Sequence, residues 1–261
     1  MKNALLLFLL LLVWTACLPF LRTERTEPEY TVSEDYVLSA LAYIGSDAAG
    51  EQALKALAVA IRSYTALHGE VLPTADEAYI ASQTGEAAAS EIYSLMSAAV
   101  SDTCGEYLTC GGKPLNAVWH LSSRGKTASD SACPCLRSVS TPDESAFPSF
   151  HTRKELTDAD MLLLLPDGVQ SVSYGADGRA VSVKSGRNEI SAEEFMLLTG
   201  IPSNDFTVKY TPDGYIIDSY GSGNGIGMSL YGAYLMAKSG CDYTEILYHY
   251  YSGAVITRMT E

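Results

Sequence analysis

The chain begins with an apolar leader, and from there to about residue 100 apolar residues recur at helical spacing. Val37, Leu41 and Ile44 fall at i, i+4 and i+7, which predicts a helix over residues 34–44. Ser33 is a favourable cap for its start and Gly45 for its end. The same periodicity predicts two more helices, over about 48–67 and 85–99.

After residue 100 the pattern changes to short alternating runs separated by turn residues. Two strands, over about 106–110 and 114–120, are predicted to form a hairpin around Gly111-Gly112. Two further hairpins are predicted at Asp177-Gly178 and at Pro212-Asp213-Gly214. Helices beside antiparallel hairpins predict a single mixed α+β domain.

Two short helices are predicted in this second part by their capping residues. Ser191 with Glu194 forms a capping-box pattern before a helix that ends near residue 198. Asp242 with Glu245 forms a similar pattern before a tyrosine-rich helix. The spacing of the tyrosines in 243–251 favours a core position over a sugar-stacking surface.

The apolar leader runs from Ala4 to Leu21 and is interrupted only by Thr15. Eighteen helical residues span about 27 Å, close to the thickness of a bilayer core. An uncleaved transmembrane anchor is the preferred interpretation. A lipoprotein modified at Cys17 and a cleaved signal peptide remain as alternatives. The predicted organisation is an anchor or signal helix over 1–22, a linker over 23–32 and one domain over 33–261.

Charge and cysteine usage exclude some classes of function. The chain has 31 acidic and 17 basic residues and a formal charge of −14, which argues against nucleic-acid binding. Outside the leader the cysteines are odd in number, so they cannot all pair within the chain. A Cys104–Cys110 disulfide is expected across the first hairpin. Cys133-Pro134-Cys135 lacks the spacing of a zinc site, and we predict no metal or other cofactor. The five cysteines outside the leader are Cys104, Cys110, Cys133, Cys135 and Cys241.

A segment with glycine at every second position comes before the last helices. It reads Gly221-Ser222-Gly223-Asn224-Gly225-Ile226-Gly227-Met228-Ser229-Leu230-Tyr231-Gly232-Ala233. It resembles G-x-G-H-G-V-G-M-S-Q-x-G-A, which closes proteins of the SpoIID/LytB family (stage II sporulation protein D and amidase enhancer). Asn224 replaces a histidine of that pattern, and Leu230 replaces a glutamine.

Two other blocks extend the resemblance over most of residues 34–253. Ala53–Tyr64 is similar to the family's A-L-K-A-Q-A-V-A-A-R-T-Y. Trp119–Thr127, with Leu136–Val139 after it, is similar to Y-H-S-S-S-G-G-x-T and Y-L-R-S-V. The resemblance implies an extracytoplasmic domain that works on peptidoglycan. Sporulation members of the family are lytic transglycosylases that act on glycan strands, and other members enhance an amidase.

The resemblance also implies a catalytic glutamate at the end of the first helix, where this chain has Ile44. An isoleucine cannot donate a proton to a glycosidic oxygen, so we predict no catalytic residue at this position. Glu51 and Asp47 are weak substitutes, because the first pairs with Lys55 and the second caps a helix.

Several polar residues in the matching blocks are candidates for contacts with a glycan strand. Arg62 either lines the binding groove or holds the sheet or a loop carbonyl, and the sequence does not decide between these roles. The candidate substrate-binding residues are His120, Ser122, Ser123, Arg62, Asn224 and Ser229. The sequence therefore predicts a sporulation protein that binds or remodels peptidoglycan without strong cleavage activity. The alternatives are a lytic transglycosylase with a displaced carboxylate and an enhancer of a cell-wall amidase. The expected partners are glycan strands, and either an amidase or other engulfment proteins.

Overall fold

One long helix, α2 (Glu51–His68), is largely buried in the unit formed by residues 32–259. Every residue from 56 to 63 in this helix is buried. A helix that is buried on all sides needs small residues where its neighbours approach, and Ala56, Ala58 and Ala60 supply them. Residues of α2 form a large part of the larger hydrophobic cluster.

The computed structural model describes residues 30–45 and 50–259. The predicted leader, most of the predicted linker and Asp47 lie outside these ranges. In the described ranges the helices, in chain order, are α1 (Glu34–Ile44), α2, α3 (Glu77–Thr84), α4 (Glu86–Asp102), α5 (Asp158–Leu164), α6 (Ala192–Thr199), α7 (Leu230–Lys238) and α8 (Tyr243–Tyr250). None of the helices in these ranges has the length and apolar character that crossing a membrane requires.

The strands form small sheets rather than one large one. Three of the sheets are antiparallel and three-stranded, in the orders β11-β1-β2, β4-β9-β8 and β5-β6-β7. The pairing of β3 with β10 is parallel. The strands are β1 (Glu106–Cys110), β2 (Lys113–Pro114), β3 (Trp119–His120), β4 (His151–Leu156), β5 (Ser171–Tyr174), β6 (Ala180–Ser185), β7 (Asn188–Ser191), β8 (Phe206–Thr211), β9 (Gly214–Tyr220), β10 (Met228–Ser229) and β11 (Val255–Arg258).

Two hydrophobic clusters stabilise the unit formed by residues 32–259. The larger cluster joins α1, α2, α4, α7, α8 and β1. The smaller cluster lies in the segment from β4 to β9, where Phe195 and Phe206 stack with ring centroids 5.0 Å apart. The predicted mixed α+β class is confirmed for the described residues.

Most predicted elements are present with small differences at their ends. The helix Glu34–Ile44 matches its prediction, and the side chain of Ser33 accepts a hydrogen bond from the Tyr36 amide. The hairpins at Asp177-Gly178 and Pro212-Asp213-Gly214 are confirmed as β5–β6 and β8–β9. The helix after Ser191 and the capping box of Asp242 with Glu245 are confirmed as well.

The predicted strand over 114–120 is wrong. Strand β2 ends at Pro114, and the backbone then makes tight turns in which Ala117 N–H donates to the carbonyl of Leu115. Strand β3 begins only at Trp119 and leaves the hairpin to pair with β10. The alternation of residues 115–118, in which Leu115 and Ala117 are buried, therefore occurs in an irregular loop and not in a strand.

The expected Cys104–Cys110 disulfide is also wrong. Cys110 is bonded to Cys135, 25 residues further along the chain, while Cys104 is exposed with a free thiol. A turn closed by Leu136 N–H and the carbonyl of Cys133 places Cys135 against the end of β1. The disulfide thereby joins the first hairpin to the loop that follows the His120 block.

Candidate functional site

The two most distinctive sequence blocks meet at the parallel pairing of β3 with β10. Met228 pairs with Trp119, and Ser229 pairs with His120. The close approach requires glycine at position 227, where φ is +76° and an added Cβ would lie 1.9 Å from the carbonyl oxygen of Val118. The glycine-rich segment is therefore built to lie directly against the His120 strand.

His120 is buried and connects both blocks through its two ring nitrogens. Nδ1 lies 3.1 Å from the carbonyl oxygen of Ile226, so this nitrogen carries the proton and donates. Nε2 is then the acceptor for the hydroxyl of Ser123. Burial lowers the pKa of His120 to about 4, which keeps the ring neutral at physiological pH.

In enzymes with a serine nucleophile, the serine hydroxyl donates a hydrogen bond to a neutral histidine that acts as its base. Ser123 and His120 are arranged in the same way. Ser123, however, is completely buried, so no substrate carbonyl or phosphoryl group reaches its hydroxyl. The His120–Ser123 pair instead fixes the conformation of the loop that follows β3.

Glu144 is a buried carboxylate that the sequence reasoning missed. Together with His120, Ser123, Ser229 and the loops that carry them, it forms what we name the His120 frame. Its Oε2 accepts hydrogen bonds from the amide of Ser123 and from the hydroxyl of Ser229, both at 2.8 Å. Burial raises the pKa of Glu144, and these two hydrogen bonds oppose the rise. The Thr141 hydroxyl lies nearby and also favours the charged form, although it does not have the geometry of a hydrogen bond. The only signal in the sequence was an acidic residue soon after the Leu136–Val139 block.

Gly232 in helix α7 leaves space for the second oxygen of this carboxylate. A Cβ at Gly232 would lie 2.8 Å from Glu144 Oε1 and 2.2 Å from the hydroxyl of Tyr250. Neither of these oxygens has a hydrogen-bond partner among the described residues. Glu144 is only 1% exposed, so its carboxyl group lies inside the frame and not on an open surface.

The predicted glycan-contacting residues do not lie on one common surface. Ser122 and Ser229 are buried together with His120 and Ser123, and Ser229 caps helix α7. Asn224 is exposed, and its Oδ1 accepts a hydrogen bond from the Ile226 amide. The structure thus brings five of the predicted residues into one frame, of which Asn224 is the exposed member.

Arg62 lies apart from this frame, inside the core between α2 and β1. It is fully buried and forms an ion pair with Glu34 at 2.7 Å. It also donates to the backbone carbonyls of Glu106 and Val100. Of the two roles left open by the sequence, the structure shows the one in which Arg62 holds backbone carbonyls.

The described residues discussed near position 44 are either apolar or already held in ion pairs. Ile44 ends helix α1 half-buried, packed against the larger hydrophobic cluster. Glu51 is exposed and pairs with Lys55 at 2.6 Å, as the sequence predicted. Lys55 pairs with Asp102 at 2.8 Å as well. No set of three or more His, Cys, Asp or Glu side chains in residues 30–45 and 50–259 is arranged to hold a metal ion.

An open cleft of about 640 Å³ lies beside the frame, and we name it the aromatic cleft. The His120 loop, the segment after Glu144, the glycine-rich segment and helix α7 form its walls. Its lining residues are Leu121, Ala146, Phe147, Pro148, Ser149, Pro202, Ser222, Tyr231 and Tyr234.

Comparison with known proteins agrees with the sequence blocks. The family model for SpoIID, described as stage II sporulation protein, matches residues 22–110. Stage II sporulation protein D of Bacillus subtilis (strain 168) is 28% identical over 92% of this chain and 78% of its own length. The protein of the same name from Bacillus amyloliquefaciens is 30% identical over 61% of this chain and 50% of its own length.

A shorter match extends to the other branch of the family. The amidase enhancer of Bacillus subtilis (strain 168) is 44% identical over 59 residues, which are 23% of this chain and 8% of that protein. Three blocks occur in the same order as in the SpoIID/LytB family, and two of them are joined at the pairing of His120 with Ser229. Together with these matches, they support the similarity of this chain to that family.

Proposed function

We propose that this protein is a sporulation-associated protein of the cell envelope that binds the glycan strands of peptidoglycan and has no strong cleavage activity. The names of its relatives, stage II sporulation protein D and amidase enhancer, support the association with sporulation and the cell wall. Membrane attachment through residues 1–22 and an extracytoplasmic location belong to the same proposal.

One observation carries the proposed lack of strong cleavage. Helix α1 ends in the half-buried side chain of Ile44 at the position where the family resemblance puts its catalytic glutamate. The frame around His120, Ser123 and Ser229 is nevertheless fully folded. Loss of a general acid alone lowers a rate by about 10²–10⁴-fold. The contacts that join the matching blocks are thus preserved while the position of the acid is apolar, which favours binding over cleavage.

The test separates binding from cleavage. The full chain, purified in detergent micelles, is incubated with glycan strands from which the stem peptides have been removed. Co-sedimentation measures binding, and mass spectrometry measures anhydro-muramyl ends, with a lytic transglycosylase as positive control. We expect binding with product at least about 100-fold below that of the control. Product at the level of the control would contradict the proposal.

A second candidate function is a slow lytic transglycosylase whose acid is displaced from position 44. Glu51 is the candidate among the described residues, although it is exposed and paired with Lys55. Glu144 has a raised pKa, but it is only 1% exposed and its carboxyl group does not reach a glycosidic oxygen. Any residual product that disappears in Glu51→Gln would favour Glu51 as this acid.

The amidase-enhancer alternative has its own measurement. The protein is mixed with cell-wall amidases from a spore-forming bacterium, and the release of stem peptides is followed over time. An unchanged amidase rate, together with glycan binding, would leave the binding role as the better description.

A further inference from the structure

We propose that the aromatic cleft is the subsite that holds an uncharged N-acetylhexosamine ring of the glycan strand. The inference rests on the proposed function and names the part of the surface and the sugar that it recognises. It does not depend on the buried residues of the His120 frame, which the sequence singled out as glycan contacts.

Three aromatic rings are arranged as a continuous surface along the aromatic cleft. The ring centroids of Phe147 and Tyr231 are 5.3 Å apart, and those of Tyr231 and Tyr234 are 5.7 Å apart. All three side chains are half-buried, so each ring is held by its neighbours and still presents surface to solvent. Aromatic faces of this kind pack against the C–H groups of a sugar ring, while the tyrosine hydroxyls remain in contact with water.

The polarity of the lining restricts which sugar fits. Among the described residues that line the aromatic cleft, none carries a charge, although the chain as a whole has a formal charge of −14. A muramic acid carries a lactyl carboxylate, which the net negative charge of the chain disfavours and which no described lining residue pairs with. Lys238 lies outside the lining, with its Nζ 5.9 Å from the centroid of the Tyr234 ring. An N-acetylglucosamine ring is uncharged, and the hydroxyls of Ser149 and Ser222 offer it hydrogen bonds.

The walls are held in place before any ligand binds. Phe147 lies at the junction of two turns, in which Phe147 N–H donates to Glu144 O and Phe150 N–H donates to Phe147 O. Leu121 N–H donates to the carbonyl of Ser222, and Tyr231 N–H donates to the carbonyl of Leu121. A preformed cleft loses little conformational entropy on binding, which favours recognition of a short stretch of sugar.

The experiment measures the affinity of the full chain, in detergent micelles, for a tetramer of N-acetylglucosamine by calorimetry. A tetramer of galacturonic acid serves as the anionic comparison. We expect the uncharged tetramer to bind and the anionic one not to bind. Phe147→Ala and Tyr234→Ala should each raise the Kd by about tenfold, a typical loss for an aromatic contact at a binding site. Tyr234→Leu keeps apolar volume without an aromatic face and should weaken binding to a similar degree.

Tyr210→Ala is the matched control, because Tyr210 is an exposed tyrosine that pairs with Tyr215 on the β8–β9 hairpin. This variant should bind like the wild type, and thermal unfolding confirms that each variant is folded. Binding of whole glycan strands that is unaffected by Phe147→Ala, Tyr234→Ala and Tyr234→Leu would overturn the assignment of the cleft and leave the proposed function intact. Failure of the wild type to bind either glycan strands or the tetramer would overturn both.

Discussion

The hydroxyl of Ser229 donates a hydrogen bond to the carboxylate of Glu144 at 2.8 Å, although the two residues are 85 positions apart in the sequence. The same hydroxyl oxygen accepts the amide of Gly232 at 3.2 Å and so caps helix α7. Glu144 also accepts the amide of Ser123. One buried carboxylate therefore connects the His120 loop to the start of helix α7.

Replacing Glu144 with alanine should lower the free energy of unfolding by about 2–4 kcal/mol. The substitution leaves the Ser123 amide and the Ser229 hydroxyl buried without an acceptor, at a cost of about 1–3 kcal/mol each. Glu144→Gln keeps one oxygen and should lose less. Urea denaturation measures both, with Asp143→Asn as a control at the exposed neighbouring position. A loss in Glu144→Ala no greater than in this control would show that the carboxylate does not stabilise the frame.

The stability of the protein should fall as the pH decreases from about 6.5 to about 4 because of His120. Burial, together with repulsion from Arg179, lowers the pKa of this side chain to about 4, so the unfolded chain binds a proton in this range and the folded protein does not. The stabilisation is complete above the unfolded pKa and is lost as the pH falls toward the folded one. The loss attributable to His120 is at most about 3 kcal/mol. The unfolding free energies of the wild type and His120→Gln should converge as the pH falls through this range, and a pH-independent difference would contradict the assignment.

The sequence predicted the helices well because their cues are local. The stripe of Val37 and Leu41, with Ser33 as its cap, predicted helix α1 correctly at both ends. The capping residues Asp242 and Glu245 did the same for the start of α8. Each of these signals lies within about two turns of the element that it specifies, so no tertiary contact is needed to read it.

The features that the sequence did not predict depend on contacts between distant segments. Glu144 carries no local pattern, and its importance follows only from its contacts with Ser123 and Ser229. Cys110 has a nearer cysteine in Cys104 but pairs with Cys135, since the fold places that loop beside β1. The blocks around the site were identified by resemblance, yet most of their polar residues proved to be buried supports.

Alanine at Gly227 should prevent proper folding of the site, whereas alanine at Gly253 should be tolerated. Both glycines have a positive φ, +76° and +83°, so each substitution costs about 1–2 kcal/mol in backbone strain. Only at Gly227 would the new Cβ collide with the backbone, 1.9 Å from the carbonyl oxygen of Val118. We expect a loss at Gly227 that is at least about 2 kcal/mol larger than at Gly253. Equal midpoints of thermal unfolding for the two variants would show that β3 and β10 are not in contact.

Loss of the Cys110–Cys135 disulfide should lower the free energy of unfolding by about 3.5 kcal/mol, the closure entropy of a 25-residue loop. Cys135→Ser should show this loss without reductant, and Cys104→Ser should behave like the wild type because its thiol is free and exposed. Peptide mapping without reduction should recover the peptides of Cys110 and Cys135 as a linked pair. A link between the peptides of Cys104 and Cys110 would contradict the observed pairing.

Replacing Ile44 with glutamate should introduce cleavage of glycan strands if the rest of the site is competent. Residue 44 is the last residue of helix α1, and the negative end of a helix raises the pKa of a nearby carboxyl group. Partial burial against the hydrophobic cluster raises it further, which is the condition for a general acid near neutral pH. The release of anhydro-muramyl ends by Ile44→Glu should exceed that of the wild type by about 10²-fold or more. Ile44→Gln has nearly the same shape and no acidic proton, so it should remain inactive. Retained glycan binding without any cleavage in Ile44→Glu would mean that the binding surface has also lost the geometry that catalysis needs, because an acid in the correct place is not sufficient when the sugar ring is not held against it.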